Sequence, residues 1–513
     1  METTAGGPAE PHPGTQRGGA DRRKPDLVDA MIALREDVAR EAEQTLRRWR
    51  PRLERVGFVP SAHNLAAYLA FRARDVRDVQ DELAAWGLSS LGRSEGRILA
   101  NLDAVVCSLA ALTNRRDTRV PPRPRPSAFT LGERLLERNT RRLLGPDPEG
   151  RSIHIMVTLP ERAQQDAAFV EALVARGMTC ARINCAHGTH AEWLEMIRHV
   201  RAAEKRLGRT CRVLMDLSGP RARILDAFSR DDRKALAGDR LLLRSTPPDP
   251  ANPKYPFQIQ CTPASILDHL KVGAALSVDE ARLEARVEES AADGLVAETT
   301  RTPPFGIRLK PEKGLNFPGT ALGIPALTEK DRADLDLIVA EADLIGYSFV
   351  QDESDVETMW RELAPRLAKH PHRRPPGLIL KIETERAVRH LPELIVTAAG
   401  HMPVGVMIAR GDLGVEVGFE RLAELQEELL WLAEAAHTPV IWATQVLDRL
   451  VRKGTPSRAE ISDVVLAQRA ECVMLNKGEF LLDALTVVDD VCRRMSAHQH
   501  KKTSRLRALR AWS

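Results

Sequence analysis

Two hydrophobic patterns divide the chain near residue 150. Upstream, apolar residues recur every three or four positions. After Asp26, which suits an N-cap, Leu27, Met31, Leu34, Val38, Ala42, Leu46 and Trp49 line one helix face, and Pro51 stops the run. The same spacing predicts a second helix after Ser61, through Leu65, Leu69, Val76, Val79, Leu83 and Trp86 to Gly87, and a third through Ile98, Leu102, Val105 and Leu109. Such stripes bury themselves against one another, so residues 25–112 are expected to form an all-helical module. Residues 1–24 carry Gly, Pro and charge without an apolar period and are expected to be a disordered tail. In NRRDTRVPPRPRPS (114–127) four prolines and five arginines make a stiff, solvated spacer. Residues 113–128 are therefore read as a linker and 129–150 as a connecting helix around Leu131–Leu144.

Downstream the pattern switches to short apolar runs: HIMVTL (154–159), CARINC (180–185), RVLMDL (212–217), DLIGYSF (343–349), GLILKIE (377–383), VGVMIA (404–409), PVIWAT (439–444) and CVMLNK (472–477). Amphipathic helical stretches separate most of them, such as 419–437 with Leu422, Leu425, Leu429 and Leu432. Eight strand-like runs with helical crossovers predict an α/β fold, a (β/α)8 TIM barrel built from 151–224 and 313–495. Residues 225–312 are too long for one crossover and contain LLLRS, FQIQC, AALSV, LEARV and GLVAETT between turn-like segments, which predicts an inserted small β-barrel domain. On a barrel loop it would lie over the C-terminal face, as a lid. Residues 496–513 are read as a basic C-terminal tail, either in solvent or packed on the helical module.

Composition narrows the function. The 513 residues are 43% apolar and 28% charged, an ordinary globular balance. A net charge of +4 and 4% aromatics argue against nucleic acid as the main partner. The seven cysteines form an odd set with no C-x-x-C, which suits reduced thiols; Cys180 and Cys185 are read as buried small apolar residues rather than zinc ligands. No apolar run approaches the ~18 residues of a membrane span, and the N-terminus has no hydrophobic export signal, so a cytoplasmic protein without a membrane partner is expected.

Chemistry enters where polar residues interrupt the strand ends: Arg182 and Asn184, Asp216, Ser348, Lys381 and Glu383, Asp412 in ARGDLG, and Thr444. On a parallel barrel all of these converge on one rim. Glu383 and Asp412 offer carboxylates suited to a hard cation, Mg²⁺ or Mn²⁺. Arg182 and Lys381 add fixed positive charge, and the combination is what phosphoryl transfer requires. Thr444 is placed to relay a proton. The amides of Gly411 and Asp412, in a loop leading to a helix near Phe419, are candidates for holding a carboxylate or phosphate. There is no GxxxxGK[ST], HExxH, GxGxxG or GxSxG, so any nucleotide is held without a P-loop.

Nine segments, ARINCAHGTH (181–190), MDLSGPRARI (215–224), KGLNFPG (313–319), ALTEKD (326–331), SFVQDESDV (348–356), LKIETERAV (380–388), MIARGDLGVE (407–416), WATQVLD (442–448) and SRAEISDV (457–464), resemble the pyruvate kinase family in order and spacing. The resemblance implies phosphoryl transfer between phosphoenolpyruvate and ADP, giving pyruvate and ATP. It places Arg182 and Lys381 on the phosphoryl group, Glu383 and Asp412 on the divalent metal, and Thr444 toward the proton at the enolate carbon. Lys381, Gly411, Asp412 and Thr444 would bind substrate, and Asn184, His187 and Arg223 would lie near the nucleotide phosphates. Asn184 and Asp216 match positions near the monovalent cation.

Departures from the family pattern modify that expectation. Ala186 replaces a Ser, Leu217 a Thr and Arg221 a Glu, which weakens the potassium site; in family members that do not need potassium the Glu position is basic, so Arg221 is expected to substitute for the cation. Ser218 replaces a Lys, and MLNKGE (474–479) and TLPERA (158–163) also depart. Nothing in the chain matches the family's C-terminal regulatory domain, so activation by sugar phosphates through it is not expected. A homo-oligomer, a dimer, is the expected assembly. Two rival functions fit the same barrel: a metal-dependent pyruvate-enolate lyase or other phosphoenolpyruvate-using transferase, and a catalytically degenerate sensor or scaffold. Arg182, Lys381 and the lid favour the kinase over the first, and the intact rim set disfavours the second.

Overall fold

A computed structural model describes residues 26–501, 503 and 504; the expected tail at 1–24 lies outside them, as do 505–513. In chain order, β1 (His154–Thr158), β2 (Cys180–Asn184) and β3 (Arg212–Asp216) lead into seven strands, β4 (Arg223–Ser229), β5 (Arg240–Arg244), β6 (Phe257–Thr262), β7 (Ala275–Val278), β8 (Leu283–Ala291), β9 (Gly294–Arg301) and β10 (Leu315–Asn316). Five more follow: β11 (Leu344–Tyr347), β12 (Gly377–Ile382), β13 (Val404–Ala409), β14 (Val440–Ala443) and β15 (Cys472–Leu475). β1, β2, β3 and β11–β15 form a closed, wholly parallel barrel. Each of its strands is nearly or fully buried because helices cover the outside, which is why the sequence shows continuous apolar runs instead of alternation.

β4–β10 make the second sheet, in the order β10-β7-β8-β9-β5-β6-β4. An antiparallel bridge between Arg223 and Gly314 joins its first strand back to its last segment, with the Ile224 N–H donating to the Lys313 carbonyl at 2.9 Å. The insert has its own core, built on Ile224, Leu241, Phe257, Ile259, Val287 and Phe317. Its strands begin at Arg223 and end at Asn316, slightly wider than the segment 225–312 read from the sequence.

The N-terminal segment forms α1 (Leu27–Trp49), α2 (Val59–Arg72), α3 (Arg77–Ala85), α4 (Ile98–Leu112) and α5 (Pro126–Leu144). The single helix expected from Ser61 to Gly87 is two helices. α2 ends at Arg72, and α3 restarts at Arg77, where the Asp75 carboxylate accepts the Arg77 backbone N–H at 3.1 Å and the Arg77 guanidinium, a local turn that competes with a continuous helix. α5 starts at Pro126, inside the expected linker, because proline suits the first helical position. The helix expected over 419–437 ends at Ala435, since His437 takes a left-handed backbone. The tail expected from 496 forms a small antiparallel pair, Gln499–His500 with Thr503–Ser504, and Lys501 points inward onto Glu471 at 2.5 Å.

α5 has a role beyond connection. Its Leu143 and Leu144 join Met156, Cys180, Leu214, Leu344, Ile379, Met407, Ile441, Cys472 and Met474 in the barrel interior, so the helix end plugs the N-terminal mouth. Gly377 and Gly405 make room for it: a Cβ there would lie 2.3 and 2.6 Å from Leu143 methyls. All seven cysteines are free thiols, and Cys180 and Cys185 are buried.

The helical module docks on the side of the barrel. Asn64 donates to the Ala435 carbonyl at 2.8 Å, and the buried His437 ring meets Ser61 and the Gly96 carbonyl, each at 3.0 Å. The Arg55 N–H donates to Gly400 at 3.1 Å, and a Cβ on Gly400 would fall 1.9 Å from the Arg52 carbonyl oxygen. Gly400→Ala is therefore expected to lift this edge of the module and destabilise the protein by roughly 1–3 kcal/mol, read as a lower denaturation midpoint. An unchanged midpoint would contradict the close approach.

Candidate active site

Side-chain alternation carries the charged residues to one rim. Cys180 faces the barrel interior, so Arg182 and Asn184 follow on the same face of β2; Leu214 likewise sets Asp216, and Ile379 sets Lys381 and then Glu383. On the neighbouring strand, Gly346 leaves the space that Asp216 fills, since a Cβ there would be 2.3 Å from Asp216 Oδ1. Arg182, Asp216 and Lys381 are thus each one layer above an apolar interior residue, and Glu383 is one layer above Lys381.

The result is a row of alternating charges. Arg182 donates from Nε and one terminal nitrogen to Asp216 Oδ2 at 2.8 and 2.5 Å, and from the other to Thr158 Oγ1 at 2.9 Å. Lys381 Nζ lies 3.3 Å from the same Asp216 oxygen and 3.1 Å from Glu383 Oε1, and donates to Ser348 Oγ at 2.6 Å. Glu383 Oε2 accepts the Phe349 N–H at 2.6 Å. The Asp216, Glu383 and Lys381 side chains are only 1, 3 and 9% exposed. Buried charges persist in such a place only when each has a counter-charge and hydrogen bonds.

The protonation states follow from the same contacts. Burial pushes the Asp216 carboxyl up, but Lys381 and Arg182 outweigh it and hold the group below the usual carboxylate range. Burial works against the Lys381 ammonium, yet Asp216 and Glu383 raise its pKa, so it is charged at neutral pH. Glu383 is pushed above its ordinary range by burial and, against the pull of Lys381, by the charge of Asp412.

Asp412 sits in the first turn of a short helix, Arg410–Val417, which starts directly at the end of β13; the loop expected to lead to a helix near Phe419 is itself helical. The Gly411 N–H is already used, donating to Thr444 Oγ1 at 2.7 Å. Thr444 has φ of +63°, an uncommon conformation for a β-branched residue. Arg410 holds it there, donating to the Thr444 carbonyl at 2.7 Å and the Ala443 carbonyl at 3.1 Å while pairing with Asp463 at 2.5 Å. Arg410, Asp463 and Thr158 received no role from the sequence, although the first two lie in segments that carry the resemblance.

Asn184, Asp216 and Arg221 are drawn to different partners: Asn184 Oδ1 accepts the Ala186 N–H at 3.2 Å, Asp216 serves Arg182 and Lys381, and Arg221 donates to Asp412 Oδ1 at 3.0 Å. Asn184 and His187 share a small cavity with Thr158, Glu161 and Lys477, where burial and then Lys477 and Arg223 push the His187 ring below its ordinary pKa. Arg223 itself pairs with Glu312 at 2.9 Å on the insert. A cavity of about 360 Å³ opens between insert and barrel beside Arg221, Asn316, Phe349 and Glu416.

Among the described residues there is no group of three or more His, Cys, Asp or Glu side chains able to hold a metal. Glu383 and Asp412 nonetheless fit a Mg²⁺-type ion, which takes one or two protein carboxylates and fills its other positions with substrate oxygens and water. Their mutual repulsion, felt by Glu383, is what a divalent cation relieves.

A family model described as "Pyruvate kinase, barrel domain" matches residues 150–481. A pyruvate kinase of Geobacillus stearothermophilus is 32% identical over 351 residues, covering 67% of this chain and 57% of that protein. Pyruvate kinase 2 of Synechocystis is 30% identical over 363 residues, with 68% and 57% covered. The chain thus spans a little over half the length of these relatives. A crystal structure of a pyruvate kinase from Cryptosporidium parvum superposes with a TM-score of 0.59 at 26% identity, covering 69% of this chain and 72% of that one. With a closed parallel barrel, an inserted β domain and a rim of paired charges already described, these matches show that the chain belongs to the pyruvate kinase family.

Proposed function

We propose that this protein transfers a phosphoryl group from phosphoenolpyruvate to ADP, giving pyruvate and ATP. The observation that carries the reading is the buried row Arg182–Asp216–Lys381–Glu383, with Asp412 beside it. Phosphoryl transfer spreads charge over the moving oxygens, so catalysis is chiefly positioning and electrostatic stabilisation by fixed cations. Lys381 is such a cation, braced by Asp216, Glu383 and Ser348, and Arg182 is aimed by Asp216 and Thr158. A divalent ion, Mg²⁺ or Mn²⁺, held by Glu383 and Asp412 would add positive charge for the phosphoryl and enolate oxygens. Thr444 Oγ1, which accepts the Gly411 N–H next to the Arg410 clamp, would pass a proton to the enolate carbon. Asn184 and His187 would receive nucleotide phosphates, with Arg223 brought in by the insert acting as a lid.

The decisive assay is pyruvate formation from phosphoenolpyruvate, ADP and Mg²⁺. Turnover is expected; its absence from protein that still binds phosphoenolpyruvate would move the function to the lyase or the sensor. Arg221 fixes a permanent cation on the Asp412 carboxylate, so rates with sodium or with no monovalent cation are expected to stay within about twofold of those with potassium. Strong potassium activation would remove that role. The proposal includes a cytoplasmic location and a homodimer, the latter to be read by sedimentation. Among the described residues no helix is long and apolar enough to cross a membrane.

A further inference from the structure

At the end of the barrel opposite the catalytic rim, where β3, β11 and β12 begin, lies a cavity of about 330 Å³ whose wall carries five arginines, Arg142, Arg201, Arg212, Arg373 and Arg374, against two carboxylates, Glu341 and Asp343. Asp343 is already engaged: it takes Arg201 at 2.8 Å, Arg212 at 3.1 Å and the Val213 N–H at 2.8 Å. The other three guanidinium groups have no carboxylate within ion-pair distance among the described residues. Arg373 donates to the Val339 and Ala342 carbonyls, Arg374 to the Arg142 carbonyl, and the Arg142 side chain makes no hydrogen bond or ion pair among them. The buried Nε of Arg212 is also without a partner there.

Several cations gathered in one partly buried space repel one another and lose hydration. Burial, then Arg212 and Arg142, push the Arg374 guanidinium below its ordinary pKa against the pull of Asp343, and burial does the same to Arg373 against the pull of Asp343 and Glu341. A chain that needed these residues only for solubility would leave them apart in water. Guanidinium forks match the paired oxygens of phosphoryl and carboxylate groups, and a volume near 300 Å³ is that of a small-molecule pocket.

We infer that this cavity is a binding site for a small polyanion bearing two or more phosphoryl or carboxylate groups. The inference does not rest on the reading of the catalytic rim. Its five arginines come from four separate parts of the chain: the end of α5, the helix His190–Leu207, the start of β3 and the 373–374 turn before β12.

The test is calorimetric titration of the full chain, at about 0.1 M ionic strength so that surface charge is screened beyond about 10 Å, with pyrophosphate and separately with citrate. Because a phosphate compound could also enter the rim, the same titrations are run on Lys381→Met and on Arg142→Ala/Arg374→Ala, whose two side chains are exposed at the cavity mouth. At least one ligand is expected to bind the intact protein and Lys381→Met alike, and to bind the double-arginine variant at least about tenfold more weakly. The ligand that binds then identifies the anionic group. Should the alanine pair lower the melting temperature, Arg142→Gln/Arg374→Gln takes its place. No binding of either ligand at millimolar concentration, or binding lost in Lys381→Met but kept in the double-arginine variant, overturns the inference.

Discussion

Lys381→Met is expected to lower kcat for pyruvate formation by about a hundredfold to a thousandfold, the loss typical of removing one preorganised group that stabilises transition-state charge. Methionine has nearly the length of lysine and is tolerated in a packed interior, so the change removes charge more than volume. The groups that Lys381 braces keep other partners. Asp216 retains both contacts from Arg182, and Glu383 retains the Phe349 N–H. Folding should therefore persist, and Mn²⁺ binding by Glu383 and Asp412 should stay close to that of the intact protein. Steady-state rates together with Mn²⁺ titration followed by electron paramagnetic resonance check both halves. A rate near that of the unaltered protein would show that Lys381 does not act on the moving phosphoryl group.

Asp216→Ala should have the largest effect on stability. Its carboxylate is shared by two cations, and its removal leaves Arg182 and Lys381 facing each other in a nearly closed space. Breaking a buried pair by deleting one partner costs about 3–5 kcal/mol, because the remaining charge is uncompensated. The pH dependence follows from the depressed pKa of Asp216. A carboxyl that is more acidic folded than unfolded contributes stability fully above its unfolded pKa, about 3.9, and loses it as the pH falls through the lower folded value. The gap in unfolding free energy between the two proteins should accordingly hold from pH 8 to about 5 and narrow below about 4. Denaturant titrations across that range measure it; a gap under about 0.5 kcal/mol at neutral pH would mean that Asp216 is not what holds the cations together.

The barrel was legible in the chain because a parallel strand covered on both faces must be apolar throughout, and eight such runs with helical crossovers are the number that closes a (β/α)8 barrel. The rim was legible for a related reason. Once Cys180, Leu214 and Ile379 are assigned inward, period-two alternation sends Arg182, Asp216 and Lys381 to the same face. The helix break between Arg72 and Arg77 is hidden in the pattern, since the apolar period runs on through Val76, Val79 and Leu83 while the Asp75 carboxylate forms a local turn with Arg77.

By itself, then, the sequence determined which segments become strands, where the insert interrupts them, and which polar side chains stand at the strand ends; all of these depend on neighbours a few residues away. Tertiary structure alone decided which of those side chains meet. Arg221 lies five residues beyond Asp216 yet spends its charge on Asp412, 191 residues further on. Leu143 becomes a barrel plug only because Gly377 and Gly405 leave it space, and Thr444 keeps its left-handed backbone because Arg410 and Asp463 clamp it from other elements. The arginine cavity likewise exists only after closure, which brings α5 against the starts of β3 and β12. Such pairings are set by the geometry of the closed barrel, in which strands remote in sequence become neighbours, and no local pattern encodes that distance.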